Sequence, residues 1–215
     1  MKNIKRFVLC ISLICFLSNS FSQDGSTSLH LGTSIPTNEF GAKDKGGAFV
    51  GLNFGLVYLS PISKSNFDIL FGVDFVYNAL KPSVKDELKD YINSFGSSSA
   101  YLKYYKYINT PLFAGLNGAF KTGDRLSFYV NAAFVLDYFI TTKSEYIING
   151  RSTTTGIKYS PAIGYRLSGG IIIDERTFIS IDYFNLKETK EVENNYLADS
   201  KKNIDFVSLT VGFKL

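Results

Sequence analysis

Val207-Ser-Leu-Thr-Val-Gly-Phe-Lys-Leu215 ends the chain, with Val207, Leu209, Val211, Phe213 and Leu215 on every second position and small or polar residues between them. Successive side chains of a strand point to opposite faces, so this period of two marks a β-strand with one apolar face. The same alternation recurs upstream. It predicts strands over 28–35, 48–59, 67–78, 104–120, 126–138, 161–173 and 178–186, before the closing strand from Ile204. In 67–78, for example, Phe67, Ile69, Phe71, Val73, Phe75 and Tyr77 alternate with Asp68, Gly72, Asp74 and Asn78.

Four long polar segments, 36–47, 80–100, 140–159 and 187–203, alternate with three short turns. Within the second, Val84, Leu88, Tyr91 and Ile92 have helical spacing, which predicts one or two helical turns inside 83–95. Pro111 falls inside the fourth strand, where it removes a ladder hydrogen bond and predicts a bulge with a shift of face.

The amino-terminal end reads differently. Met1-Lys-Asn-Ile-Lys-Arg6 is basic, 7–17 is apolar but too short to span a bilayer, and Ser20 and Ser22 are small, which predicts a cleavable signal peptide over 1–22. Cys15 opens the alternative of a lipoprotein anchor, against which stand the bulky Ile14 before it and the apolar residues after it. Both cysteines lie in this leader, so the remaining chain has no thiol chemistry. Without Lys2, Lys5 and Arg6, the 23 basic residues become 20 against 19 acidic ones. That balance gives no reason to expect a nucleic-acid partner.

An even number of strands, alternating long and short connections, and an apolar stripe on every strand predict an all-β fold: an eight-stranded, antiparallel, up-and-down transmembrane β-barrel over 23–215. Both termini then lie on the periplasmic side, and Tyr58, Tyr77, Tyr138, Tyr165 and Tyr183 near strand ends suit a half-wet interface. A soluble sandwich also alternates. Its core would have to form opposite the large residues, where the strands carry Gly, Ser, Asn and Asp.

The segment Tyr107-Ile-Asn-Thr-Pro-Leu112, the leader ending Ser20-Phe-Ser-Gln23, the glycine-interrupted strands and the apolar terminal strand together resemble the PorT-like family of outer-membrane β-barrel proteins. The family's usual segment is similar to Tyr-Leu-Glu-Ile-Pro-Leu, from which Asn109 and Thr110 depart. The resemblance implies an eight-stranded outer-membrane barrel, a link to protein secretion through the family's namesake, and no reaction.

The residues that stand out chemically face the predicted lumen: Asp68, Asp74, Asp137, Arg166, Asp182 and Lys214. A charge inside a narrow barrel must be paired or hydrated, so Arg166 is expected to bridge one or two carboxylates, with Asp182 on the neighbouring strand. His30, the only histidine, is expected to fill the lumen rather than to act as a base. Asp86, Glu87 and Asp90, and Glu188, Glu191 and Glu193, are acidic clusters in outer segments and read as solvated charges rather than a metal site. No cofactor motif and no catalytic motif is present.

The function expected is therefore that of a non-enzymatic, polar-plugged structural or interaction protein. Its partners would be outer-membrane lipid, the barrel-insertion machinery through the terminal strand, and a protein at the outer segments. A narrow pore is the alternative, disfavoured because a barrel of eight strands is filled by its own side chains.

Overall fold

Alternation along each strand turns into a closed wall. The computed structural model describes residues 25–63, 65–96, 98–156, 158–193 and 196–215, with backbone alone for 158, 188–193 and 196–202; the predicted signal peptide lies outside the described residues. Eight long strands pair antiparallel in a ring: β1 (Ser26–Thr37), β2 (Ala48–Pro61), β3 (Phe67–Leu80), β5 (Tyr107–Lys121), β6 (Leu126–Thr141), β10 (Ala162–Ile173), β11 (Thr177–Glu193) and β12 (Tyr196–Lys214). The ring closes where β12 pairs with β1, Leu29 opposite Phe213 and Leu31 opposite Val211. Closure leaves no edge along the wall, so no strand there presents an unpaired side.

The predicted outward faces are outward. Leu31, Leu52, Phe54, Phe71, Leu116, Val130, Ile163, Leu167, Ile181, Leu209 and Phe213 are all exposed, and Phe134 is 82% exposed. A continuous apolar wall of this extent far exceeds the few hundred Å² tolerated on a soluble monomer. Tyr138 and Tyr165 lie at the end of the wall opposite the short turns, Tyr165 edge-on to Tyr183 with ring centroids 6.2 Å apart.

Three expectations need correction. Pro111 makes no bulge and no change of face: β3 and β5 keep one register on both sides of it, Val73 opposite Leu112 and Val76 opposite Asn109, and the pairing with β6 is unbroken from Tyr107 to Lys121. The missing N–H is absorbed by dropping two ladder pairs rather than by inserting a residue. The segment 187–203 is a paired ladder rather than a loop, with Thr189 opposite Lys202 and Glu193 opposite Tyr196. The segment 140–159 likewise carries strands: β7 (Ser144–Ile148) and β8 (Arg151–Thr155) form a small sheet with β4 (Ala100–Lys103), and β9 (Lys158–Tyr159) bridges β6 and β11.

Helices cover the same end. α1 (Asn38–Gly41) follows β1, and α2 (Pro82–Asn93) runs three turns, longer than the periodicity predicts. Pro82 suits the first turn because its missing N–H has no helical partner there. The Lys81 N–H bonds the Gly47 carbonyl at 2.9 Å, tying the start of α2 to the barrel rim. Val84, Leu88 and the buried Ile92 form its inner stripe.

Candidate functional site: the stratified lumen

Inward positions of the eight strands sort into three layers along the barrel axis. The layer at the helical end is apolar, which departs from the expectation of a wholly polar plug. Phe113, Val135, Phe139, Phe184, Leu186, Ile204 and Phe206 are all buried there, with Tyr107. Phe184 stacks on Phe206 at 4.5 Å between centroids, and Tyr107 on Phe139 at 5.5 Å. α1 caps this layer by inserting Phe40, edge-on to Tyr107 at 5.2 Å and to Phe139 at 6.0 Å. The Asn38 amide holds α1 in place by donating to Asp205 Oδ2 at 2.9 Å, while Asn185 donates to Asp205 Oδ1 at 2.8 Å. The Tyr107 hydroxyl donates to the Gly46 carbonyl just beyond the helix.

The middle layer is polar and holds three of the six lumen residues singled out from the sequence, Asp74, Arg166 and Asp182. Arg166 on β10 donates from Nη2 to Asp182 Oδ1 on β11 at 2.6 Å and from Nη1 to Asn131 Oδ1 at 3.4 Å. Its flat face covers the Phe113 ring, 4.5 Å from the centroid, and the Phe184 ring at 5.6 Å. Cation–π stacking of this kind suits a guanidinium that has lost its water. Asp182 also accepts from Ser168, from Ser180 at 3.1 Å and from Thr210 at 3.2 Å, so both carboxyl oxygens are engaged. That density of donors is what a buried carboxylate requires.

A second cluster lies on β1, β2 and β3. His30 Nε2 is 3.1 Å from Asp74 Oδ1, with both side chains fully buried. Gly55 pairs with both His30 and Asp74 across its two ladders. A Cβ on Gly55 would stand 2.1 Å from Asp74 Oδ1 and 2.5 Å from His30 Nε2, so only glycine lets the pair close over β2. The Asn53 amide donates to Asp74 Oδ2 at 3.2 Å and to Ser208 at 3.0 Å, linking the cluster towards β12.

The other sequence-selected residues lie apart. Asp137 is fully buried opposite Pro111 and Ala162, and neither of its oxygens meets a well-formed hydrogen bond. Asp68 accepts from Asn117 at 2.9 Å and Lys214 is exposed, both near the end that carries the short turns. His30, Asn53, Asn131, Ser168, Ser180, Ser208 and Thr210 complete the middle layer. Their signal in the sequence is parity: each shares the inward face of its strand with a selected charge or a glycine.

The third layer, at the turn end, is a cavity of about 680 Å³. Val57, Leu59, Leu70, Ala119, Ile172 and Phe178 form its apolar walls, and His30, Asn131, Tyr129 and Arg166 its floor. Lys121, Glu175, Arg176 and Lys214 surround the mouth. Glu175 accepts from Lys121 at 3.1 Å, and this hydrogen bond holds its carboxyl below the usual glutamate range.

Above the apolar layer, outside the barrel, the helical end forms a crown rich in tyrosine. Tyr101 stacks on Tyr104 at 4.6 Å and tilts against Tyr146 at 5.6 Å, while Tyr91 meets Phe95 edge-on at 5.1 Å. A groove of about 220 Å³ between α2 and the β4–β7–β8 sheet is lined by Tyr91, Tyr101, Tyr105, Tyr146, Thr142 and Thr155 among others. Burial raises the hydroxyls of Tyr101 and Tyr104 above the ordinary phenol range, so these two phenols stay uncharged. Asp86, Glu87 and Asp90 are exposed on α2, and Glu87 pairs with Lys43; among the described residues no three acidic or histidine side chains converge as metal ligands.

No protein-family model and no curated protein matches the chain. Solved structures do. Neisserial surface protein A (NspA) is similar over 89% of this chain and 96% of that one, at 11% identity and a TM-score of 0.50. Ail, the attachment invasion locus protein of Yersinia pestis, matches over 90% of this chain and 100% of that one, at 13% identity and a TM-score of 0.43. The N-terminal β-barrel domain of Pseudomonas aeruginosa OprF matches over 90% and 98%, at 11% and 0.39. The likeness is one of fold, and the match to NspA carries it: the chain is a closed, eight-stranded antiparallel barrel of the outer-membrane type.

Proposed function

We propose that the protein resides in the outer membrane as a closed, non-enzymatic barrel with both termini in the periplasm, and that it works as an anchored interaction scaffold whose crown meets a protein partner at the cell surface. The observation that carries this reading is the unbroken cross-section of buried side chains. Phe113, Phe184, Phe206, Phe139 and Tyr107 fill the barrel above the Arg166–Asp182 network, and Phe40 seals them from outside. A conducting lumen needs a hydrated path. An apolar layer this tightly stacked removes support from the narrow-pore alternative.

The crown supports the interaction reading by its composition. Tyrosine with serine and threonine gives large contact area at low entropic cost, and paratopes use the same mixture. Chemistry has less support. His30 turns Nε2 to Asp74, and no serine or threonine hydroxyl hydrogen-bonds it among the described residues. The resemblance of Tyr107-Ile-Asn-Thr-Pro-Leu112 to the PorT-like segment supports a secretion component as a candidate partner. The terminal strand, ending Phe213-Lys-Leu215, is the segment suited to the insertion machinery.

The test is made on detergent-refolded protein lacking the leader. Gel migration that changes on boiling, together with a silent planar bilayer, is the expected result, and steady conductance steps overturn the closed-barrel reading. Replacing 144–155 by a short glycine-serine linker is then expected to remove the cellular phenotype while leaving insertion intact. Loss of phenotype from lumen variants alone would contradict a crown-based role.

A further inference from the structure

We infer that the turn-end cavity is a binding site for an amphiphilic monoanion, an alkyl or aryl carboxylate, taken up from the periplasmic side with its apolar body inside the barrel and its charged head at the mouth. Eight strands leave room for one small ligand when the inward residues are small, as in soluble ligand-binding barrels. Here that condition holds in one half only. Ser28, Ala119 and Ser127 line the turn-end half, where the opposite half is filled by phenylalanines. The resulting volume, about 680 Å³, falls within the range of small-molecule sites, and its walls are apolar with a few polar groups converging at one end.

Charge placement selects the ligand and its direction. Around the mouth, Lys121 is engaged by Glu175 and Asp68 by Asn117. Arg176 and Lys214 remain, set side by side because the Lys214 N–H bonds the Arg176 carbonyl at 2.8 Å. Lys214 also lies close enough to Glu175 to be felt by it, and the charged side chains lining the mouth, three cations against Glu175 and Asp68, are positive by one. At the floor no cation is left over: Arg166 is held by Asp182, and His30 faces Asp74. An anionic head is therefore drawn to the rim and finds no free partner at the floor, which leaves the apolar body against Leu59, Leu70, Ile172 and Phe178. A cation meets the reverse field at the entrance.

The experiment uses the full mature chain refolded into nanodiscs of zwitterionic lipid, with labelled Val, Leu and Ile methyl groups, titrated with 4-phenylbutyrate, which is soluble and does not form micelles. Saturable shifts of the Val57, Leu59, Leu70 and Ile172 methyls are expected, with at least fivefold weaker binding for 4-phenylbutanol and 4-phenylbutylamine. Arg176→Gln with Lys214→Gln, both exposed and outside the packed layers, is expected to weaken 4-phenylbutyrate fivefold or more and to leave heat-modifiable migration unchanged. Ala119→Phe is expected to abolish the shifts by filling the cavity. The inference is overturned if the cavity methyls do not saturate, if shifts are confined to outward methyls such as Leu116, or if the amine binds as well as the carboxylate.

Discussion

Arg166 Nη2 and Asp182 Oδ1 stand 2.6 Å apart between neighbouring strands, with both side chains sealed from solvent. The pair is held by what surrounds it. Two phenylalanine rings cover the guanidinium, and three hydroxyls surround the carboxylate. Removing one partner leaves the other charge buried, at a cost of about 3–5 kcal/mol. Arg166→Met and Asp182→Leu are each expected to lower the unfolding free energy of the refolded protein in urea by that amount, and the double variant to recover most of the loss. Additive losses in the double variant would show that the two residues act separately.

Asp137 is the converse case, a buried carboxyl without well-formed partners opposite Pro111. Replacing such a group by an apolar one of similar size removes a desolvation penalty of about 1–3 kcal/mol. Asp137→Leu is expected to raise resistance to urea. A fall would assign Asp137 a partner that the geometry lacks.

Gly55 sits under the His30–Asp74 pair with no room for a methyl group. Gly55→Ala is expected to push His30 off Asp74 and destabilise the barrel by about 1–3 kcal/mol, as strain in a packed interior does. The histidine ring resonances in the NMR spectrum report the displacement directly. An unchanged ring environment would mean that the backbone of β2 yields instead.

The rim pair Lys121–Glu175 gives a pH signature. The hydrogen bond from Lys121 depresses the Glu175 carboxyl below its ordinary 4.5, so the stabilisation is present above that value and is lost as pH falls through the lowered folded value. Carboxyl carbon titration is expected to place the Glu175 midpoint below 4.5 in the native protein and to return it towards 4.5 in Lys121→Gln. Identical midpoints would remove the pair.

Closure of the outer layer can be probed by size. Phe40→Ala removes the cap but leaves Phe113, Phe184 and Phe206 in place, so a planar bilayer is expected to stay silent. Combining Phe113→Ala, Phe184→Ala and Phe40→Ala is expected to give measurable leak, provided gel migration still reports a folded barrel. Leak from Phe40→Ala alone would locate the whole barrier in α1.

The outward half of the fold is legible because an outward face of this kind is predominantly apolar, as Leu52, Phe54, Phe71 and Val130 are. The inward half is not bound in that way. Phe113, Val135, Phe139, Phe184 and Phe206 sit beside apolar outward neighbours, as in Phe134-Val135 and Tyr183-Phe184, where alternation cannot tell which face is which. Strand ends beyond the wall lose the signal for another reason. Between 187 and 203 the sequence is dominated by charged and polar residues with no alternation, so a paired ladder reads as a charged loop. Arg166 and Asp182 were visible as inward charges on adjacent strands, whereas the His30–Asp74 contact depended on Gly55 at the crossing, which spacing alone does not reveal.

The meeting of β12 with β1 makes the first and last residues of the barrel neighbours, Ser28 opposite Lys214. Nearly the whole chain must therefore be delivered before the wall can seal, and until then β1 and β11 each expose an unsatisfied edge. A contact between such distant positions slows folding and lengthens the time spent vulnerable to aggregation. Loss of β12 would therefore leave the chain an open sheet, a kinetic hazard out of proportion to one strand in eight.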